Sequence, residues 1–518
     1  MADSKFNLGD FTVTSLKLGD RDVKAYLGDT LLYPTSSHDY TQDYLTFVAR
    51  ESGTFTLTIG SAVTTSVLSS ISYSTDNGQT WTTTNNVDSQ TVTITTPTIA
   101  ANGKVLWKGS GVGVSAANSY YNYARSASTF SSTCDFNAEG NIMSLIYGDS
   151  FDDKTTFPNG STCNFSCLFY NNTKLILANN LVLPVLTLTD YCYHGLFSGC
   201  SRLTKGPELS ATTLANNCYE RMFKGCTVLT TFPELPVTAL TNYCYSNMFA
   251  SCKAMTVAPE LPASTLKSNC YEYMFNGCTS LTATPVLSST TLAYSCYHAM
   301  FGSCTSLTTA PVLPATTLAT YCYGNMFQGC TSLTTVPDLS ATTLAESCYR
   351  DMFSDCSSLT TAPAIRASSI KRWSCGSMFA YCSSLTTPPV LSATSLDNSC
   401  YRAMFQGCTS LTTAPSLPAT NVPFEAYSEM FSGCTSLTTA PELRASRIPE
   451  YGYTRMFMGC SSLSSITCLA TSITNNTSTD DWVDGVAASG TFTKASNMSS
   501  WSTGVDGIPD GWTVVNAT

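Results

Sequence analysis

Between residues 191 and 463 the apolar positions of the chain return every 26 residues. From Phe197 the steps land on Phe223, Phe249, Phe275, Phe301, Phe327, Phe353, Phe379, Phe405, Phe431 and Phe457, with no insertion or deletion. A cysteine stands three residues after each phenylalanine, from Cys200 to Cys460, and a leucine six after it, from Leu203 to Leu463, with Met255 as the one exception. A typical unit reads Thr-Thr-Leu-Ala-x-x-Cys-Tyr-x-x-Met-Phe-x-Gly-Cys-Thr-Ser-Leu-Thr-Thr-Ala-Pro-x-Leu-Pro-Ala. A unit of this size cannot bury its own apolar face, so each must stack on the next with equivalent residues in register. The pattern predicts a repeat solenoid of about eleven regular coils. With about 4.8 Å between coils it forms a rod roughly 50 Å long.

A period of ~20–29 residues with Leu and Cys at set offsets marks a leucine-rich repeat. Leu-Thr-Thr-Ala-Pro-x-Leu reads as the strand side, with Leu307 and Leu313 pointing inward. The recurring proline (Pro311, Pro337, Pro363) has no N–H to donate and marks the end of each strand. Cys-Tyr-x-x-Met-Phe spaces its apolar residues three and four apart, which predicts a short helix or 3₁₀ turn. The glycine that follows, such as Gly329, closes it in the left-handed conformation.

Outside the repeats the pattern changes. Residues 1–34 carry Leu-Gly-Asp three times, between short alternating runs that predict strands joined by Gly-Asp hairpin turns. So small a sheet is not stable alone. Leu18, Gly19, Asp20, Tyr26, Leu27, Gly28 and Asp29 are therefore candidates for a β anchor that pairs with another chain. Residues 35–43 are a polar linker. Over 44–111, Phe55, Leu57 and Ile59, then Ile71 and Tyr73, Val92 and Ile94, and Val105 and Trp107 alternate with polar residues and predict a small all-β sandwich. Within it, Ser74-Thr-Asp76-Asn-Gly78-Gln-Thr80-Trp81 fits an Asp-box. A single box predicts a hairpin turn in which Asp76 accepts from backbone amides and Trp81 packs beneath. Residues 112–190 read as an irregular lead-in and N-terminal cap, with Phe169 and Leu175 at the repeat offset but Asn172 where the cysteine belongs. Over 464–518, Trp482, Trp501, Trp512 and Phe492 among Gly, Ser and Thr predict a C-terminal cap.

Charged residues make up 12% of the chain and the net charge is −10, so solubility rests on Thr, Ser and Asn. An acidic surface repels phosphate, which argues against nucleic acid as a partner. No run of eighteen apolar residues occurs, so no membrane insertion is expected. The opening Met-Ala-Asp-Ser-Lys-Phe has neither the basic nor the apolar part of a secretory signal. Of 24 cysteines, twenty belong to the repeats. In the last two units the first cysteine becomes Ala426 and Gly452 while Cys434 and Cys460 remain, and in another it slides by one position to Cys375. Disulfide partners are lost together, so the pattern predicts buried free thiols acting as small hydrophobes. Neither a metal-binding knuckle nor a nucleophile elbow or phosphate loop is present, and no cofactor and no catalysis are expected.

The aromatic-x-x-Cys-x-x-Leu core of the unit resembles the BspA-type leucine-rich repeat, with Met-Phe where Ala-Phe is commoner. That resemblance implies a right-handed solenoid at cell surfaces and in adhesion, with no fixed ligand and no catalytic residues. The segment Val-Lys-Ala-Tyr-Leu-Gly-Asp-Thr-Leu-Leu-Tyr-Pro resembles the opening of tail and fibre proteins in phages of gut Bacteroides. The ending around Trp501 and Trp512 is similar to closing segments of repeat proteins from Bacteroides and their phages. Two slots of the repeat vary while the core letters hold: the pair before Met-Phe and the three residues before Cys-Tyr. Stacking lines them up as a ribbon containing Tyr243, Tyr273, Tyr294, His298, Tyr321, Arg350, Arg372, Trp373 and Arg402. Tyr, Trp and Arg anchor interfaces, and tyrosine rings suit sugars; drift at solvent positions is the bland alternative. The expectation is a non-enzymatic phage virion protein, attached to other virion proteins through residues 1–34 and binding a host-surface glycan or protein. A bacterial cell-surface adhesin and a purely structural virion decoration are the alternatives, and self-association is left open.

Overall fold

The computed structural model describes residues 38–59, 68–85, 87, 92–111, 128–158, 162–235, 237–498 and 501–517, together with four short strands before residue 38. Those four are β1 (Lys17–Leu18) and β2 (Arg21–Asp22), paired antiparallel, and β3 (Ala25–Leu27) and β4 (Thr30–Tyr33), paired likewise. The sequence-predicted turn residues Gly19, Asp20, Gly28 and Asp29 lie outside the described residues.

The sandwich follows from strict alternation. In β6 (Phe55–Ile59) every second residue is buried, and the core gathers Phe47, Phe55, Trp107, Phe130 and Phe136. One sheet joins β5 (Leu45–Ala49), β7 (Leu68–Ser74), β8 (Thr82–Asn85), β10 (Lys104–Gly111) and β12 (Phe136–Asn141); the other joins β6, β9 (Val92–Thr95) and β11 (Thr129–Ser132). The lead-in read as irregular thus supplies two sandwich strands, β11 and β12, and Phe130 and Phe136 are the inward residues that its short alternation concealed. The Asp-box is a hairpin turn. Asp76 accepts from the Thr80 amide at 2.9 Å and from the Ser74 hydroxyl at 2.7 Å, and the Trp81 indole N–H donates to the Gly78 carbonyl. The Thr80 hydroxyl, which also donates to Asp76, then the Ser74 hydroxyl and the Thr80 amide hold the Asp76 carboxyl down to about 2.

The turn segment of each coil is not a helix. From Tyr321 to Cys330 alternate N–H groups leave the coil: Tyr321, Tyr323, Asn325, Phe327 and Gly329 donate to the next coil's Glu346, Cys348, Arg350, Met352 and Ser354 at 2.8–3.1 Å. The intervening Cys322, Gly324, Met326, Gln328 and Cys330 donate three residues back. A right-handed helix aims every N–H along its own axis and leaves none for a neighbour. A left-handed residue every fourth position breaks the helix, and the set here is Tyr321, Asn325 and Gly329. Gly329 is left-handed as its sequence position implied, but it closes a run of turns. Left-handed backbone costs a β-branched side chain most. No Val, Ile or Thr occupies such a position among the described residues, although the repeats are rich in threonine. The strand side is a file of parallel bridges such as Thr309↔Thr335. Ala310 still donates to Thr335, and Pro311 ends the ladder.

Inside the coils three ladders run the length of the rod. The phenylalanines from Phe169 to Phe457 stack with centroids 5.5–6.0 Å apart and planes within 12°. A tyrosine ladder runs from Tyr193 to Tyr349 and resumes from Tyr401 to Tyr453. The second cysteine of every coil, Cys200 to Cys460, donates its S–H to the carbonyl of the preceding coil's phenylalanine at 3.0–3.2 Å. All twenty repeat cysteines are buried free thiols. Cys375 involves no slide of the chain: Tyr349 donates to Ser374 and Cys375 to Cys400 as in every other coil. Ser374 therefore holds the cysteine slot, and Cys375 interrupts the tyrosine ladder.

Both ends of the stack are closed. Strand β13 (Leu175–Val182) pairs parallel with β12, so the sandwich sheet continues into the first coil. Phe130 stacks on Phe169 at 5.7 Å, its N–H donates to Leu168, and its carbonyl accepts from the Asn172 amide at 2.9 Å. Phe130 thus stands where a preceding coil would place its phenylalanine, and Asn172 does the work of the missing thiol. At the other end Ser465–Cys468, Thr491–Lys494 and Thr513–Asn516 form a parallel three-stranded sheet. Trp482, fully buried, stacks between Tyr453 and Trp501.

Two outcomes follow. Ser303 is exposed and left-handed in a slot that Gly277 and Gly329 fill in the flanking coils. Ser303→Val is expected to cost about 1 kcal/mol in urea denaturation, whereas Ser303→Gly loses nothing. Burial pushes the thiols up, Cys244 to about 11 and Cys330 to about 12. Thiolate is the reactive form, so the native repeats should resist a thiol reagent at mildly alkaline pH. Denaturation without reductant should release the twenty repeat thiols; a denatured count near zero overturns the free-thiol assignment.

Candidate functional site

The left-handed positions and their neighbours are the variable slots. Tyr243, Tyr321 and Trp373 share one slot, His298, Arg350 and Arg402 a second, Tyr294 and Arg372 a third, and Tyr273 lies in a fourth. Stacking places them along one face, where three groups form.

The first is a cleft of about 340 Å³ across the coils of Arg221, Asn247 and Tyr273, lined by Glu220, Arg221, Lys224, Tyr243, Glu272 and Asn276 with the small residues Ser246, Ala250 and Ser251 at its middle. The cleft is a notch. Where the flanking coils carry Glu220 and Glu272 the middle coil carries Ser246, and where they carry Lys224 and Asn276 it carries Ala250. Glu220 is buried, accepts from the Asn217 amide at 2.6 Å, and has Arg221 at 3.3 Å and His194 at 3.8 Å. Burial alone would raise the Glu220 carboxyl, but His194, Asn217 and Arg221 together hold it below its usual value. Lys224 donates to Asn247 at 3.2 Å, and burial, aided by Arg221, lowers its ammonium.

The second group is aromatic. His298 meets Tyr273 edge-on at 5.2 Å and Tyr321 at 6.1 Å, and Tyr321 meets Tyr294, itself half exposed. The His298 ring is held by the Asn325 side-chain oxygen at 3.1 Å and by Glu272 at 3.4 Å. The third group is a sandwich: Trp373 lies between Arg350, at 4.7 Å, and Arg402, at 5.4 Å. It fits because Gly376 takes the slot between the two arginines; a Cβ there would sit 2.8 Å from the indole. Arg350 also pairs with Asp351 at 3.1 Å and Arg402 with Glu429 at 3.1 Å. Arg372 is exposed and takes no part in the sandwich.

Family comparison settles the kind of repeat. A model described as "BspA type Leucine rich repeat region" matches in six copies, over residues 192–326, 320–438 and 377–479, more than half of the chain. The chain belongs to the BspA-type leucine-rich-repeat family. Among curated proteins a search finds no match. Similar solved structures include an internalin (inlF) from Listeria monocytogenes, 13% identical over 59% of this chain and 79% of that one, with a TM-score of 0.19. Another is a TLR13–ssRNA13 complex, 14% identical over 62% and 46%, with a TM-score of 0.23. At these scores neither speaks to what this chain binds.

In this BspA-type chain the ribbon residues fall into two clusters and a cleft rather than a uniform stripe. Sequence reasoning missed the notch residues Ser246 and Ala250, because small residues carry no signal of their own. It also missed Tyr381, half exposed and lying against Gly407 of the next coil; its departure from the glycine slot was the available sign. An acidic group at the C-terminal end, Asp480, Asp481 and Asp506, has oxygens within 4.8 Å of one another, but Arg455 and the Asp481 amide already engage it.

Trp373 is more than surface decoration. Two cation–π contacts of about 0.5–1 kcal/mol each lead us to expect Trp373→Ala to lose about 1–2 kcal/mol in chemical denaturation. A double-mutant cycle with Arg350→Ala should show coupling between the pair; additive losses would remove the sandwich as an energetic unit.

Proposed function

We propose that the chain is a non-catalytic, adhesin-type binding rod whose turn face recognises a glycan or protein on a cell surface. The supporting observation is the contrast within each coil. Inside, the Phe and the second Cys hold in every unit and the Met and Leu slots stay apolar, while the left-handed face changes residue by residue and opens into a cleft. BspA-type membership supports the same reading. Tyr243, Tyr273, Tyr294, His298, Tyr321 and Arg372 are the candidate contacts; Arg350, Trp373 and Arg402 brace one another between them. Residence on a bacterial cell surface fits this reading best.

A second reading, attachment to a virion through residues 1–34, is favoured by one observation. β1 with β2 and β3 with β4 form antiparallel pairs too small for a core of their own, and such strands offer edges for strand addition to a partner. The purified chain tests both. Labelled protein should adhere saturably to host cells, and deletion of residues 1–34 should leave adhesion and thermal stability unchanged while abolishing incorporation into any larger particle. Absence of saturable adhesion overturns the adhesin reading; unchanged incorporation of the truncated chain overturns the anchor.

A further inference from the structure

We propose that the notch between the coils of Glu220 and Glu272 is a subsite for one uncharged pyranose ring of a glycan; this rests on the binding-rod reading and names its ligand class. The volume, about 340 Å³, is at the small end of the ~300–1,000 Å³ typical of ligand sites. It suits a single ring better than a folded peptide. Ala250 is the one aliphatic side chain in the lining, so there is no pocket for the apolar anchor that a peptide needs. The charges cancel: Glu220 and Glu272 face Arg221 and Lys224. A sialate, a phosphate or a polyamine would meet as much repulsion as attraction.

What remains is matched to hydroxyl groups. Carboxylates accept from two adjacent hydroxyls, the Asn247 and Asn276 amides both donate and accept, and Arg221 and Lys224 donate. Tyr243 and Tyr273 are also part of the lining, and tyrosine rings suit the C–H side of a sugar. Glu220 is already fixed by Asn217 and Arg221, and Lys224 by Asn247. The polar groups are thus oriented before the ligand arrives, which lowers the entropic cost of binding.

The repeat supplies its own controls. Gln328 and Gln406 occupy the Ala250 slot in other coils, and Ser295, Ser347 and Ser399 occupy the Tyr243 slot. Ala250→Gln and Tyr243→Ser are therefore tolerated by the frame. Saturation-transfer NMR and calorimetry on the full chain, with methyl glycosides of neutral hexoses beside methyl sialoside and glucosamine, provide the test. Binding of at least one neutral hexoside is expected, weakened about tenfold or more by each variant at unchanged melting temperature, with no binding of the charged sugars. No signal from any neutral hexoside, or equal binding by both variants, overturns the subsite. Preference for a charged sugar overturns the ligand class. If the chain adheres to cells while neutral hexosides fail, the subsite falls and the binding rod stands; if hexosides bind while adhesion is absent, the reverse holds.

Discussion

Each coil of this protein keeps only half of the amide hydrogens in its turn segment for itself. The other half, from Tyr321, Tyr323, Asn325, Phe327 and Gly329 in a central coil, is committed to the next coil. Buried amides cannot be left without acceptors, so a coil without a neighbour is not a stable object. The consequences reach most of the molecule. The alternation demands left-handed residues at every fourth position, and those positions exclude β-branched side chains. The same constraint forbids a single-residue insertion in the turn segment, because one inserted residue would exchange its outward and inward amides.

The thiols belong to this scheme. A phenylalanine carbonyl such as that of Phe327 accepts both from the Cys330 amide in its own coil and from the Cys356 thiol in the next. A buried carbonyl has two lone pairs, and cysteine reaches the second without adding a strong polar group to the core. This separates the two cysteines of the repeat. The second, retained in every unit, is a hydrogen-bond donor. The first is replaced by Ser374, Ala426 and Gly452 at positions that stay buried, so the slot asks only for a small residue.

Much of this was legible in the sequence. The period, the inward leucines, the strand-ending prolines and the alternation of the sandwich all depend on side-chain polarity, which a sequence displays. The turn segment was misread as helical because Cys-Tyr-x-x-Met-Phe has helical spacing, while left-handed backbone leaves its trace only in which residues are missing. The extent of the sandwich was hidden because β11 and β12 lie beyond a long connection. For the site, the ribbon was visible as variability, but Trp373 could not be recognised as a brace without Arg350, Arg402 and Gly376 in adjacent coils, and the cleft lies where side chains are small.

The sandwich end of the rod bears on how the chain is made. Phe130 presents to the first coil the ring, the amide and the carbonyl that a preceding coil would present. A finished template for stacking is therefore complete before any regular repeat has been synthesised. Domains at the start of a chain fold first as it leaves the ribosome, and a repeat array can extend from any preformed end. Each unit that emerges finds ordered amides waiting for its carbonyls, and growth proceeds in the direction of translation until Trp482 and the final strands close it. A rod whose isolated coils are unstable can in this way assemble during synthesis without passing through a long unfolded array of exposed phenylalanines.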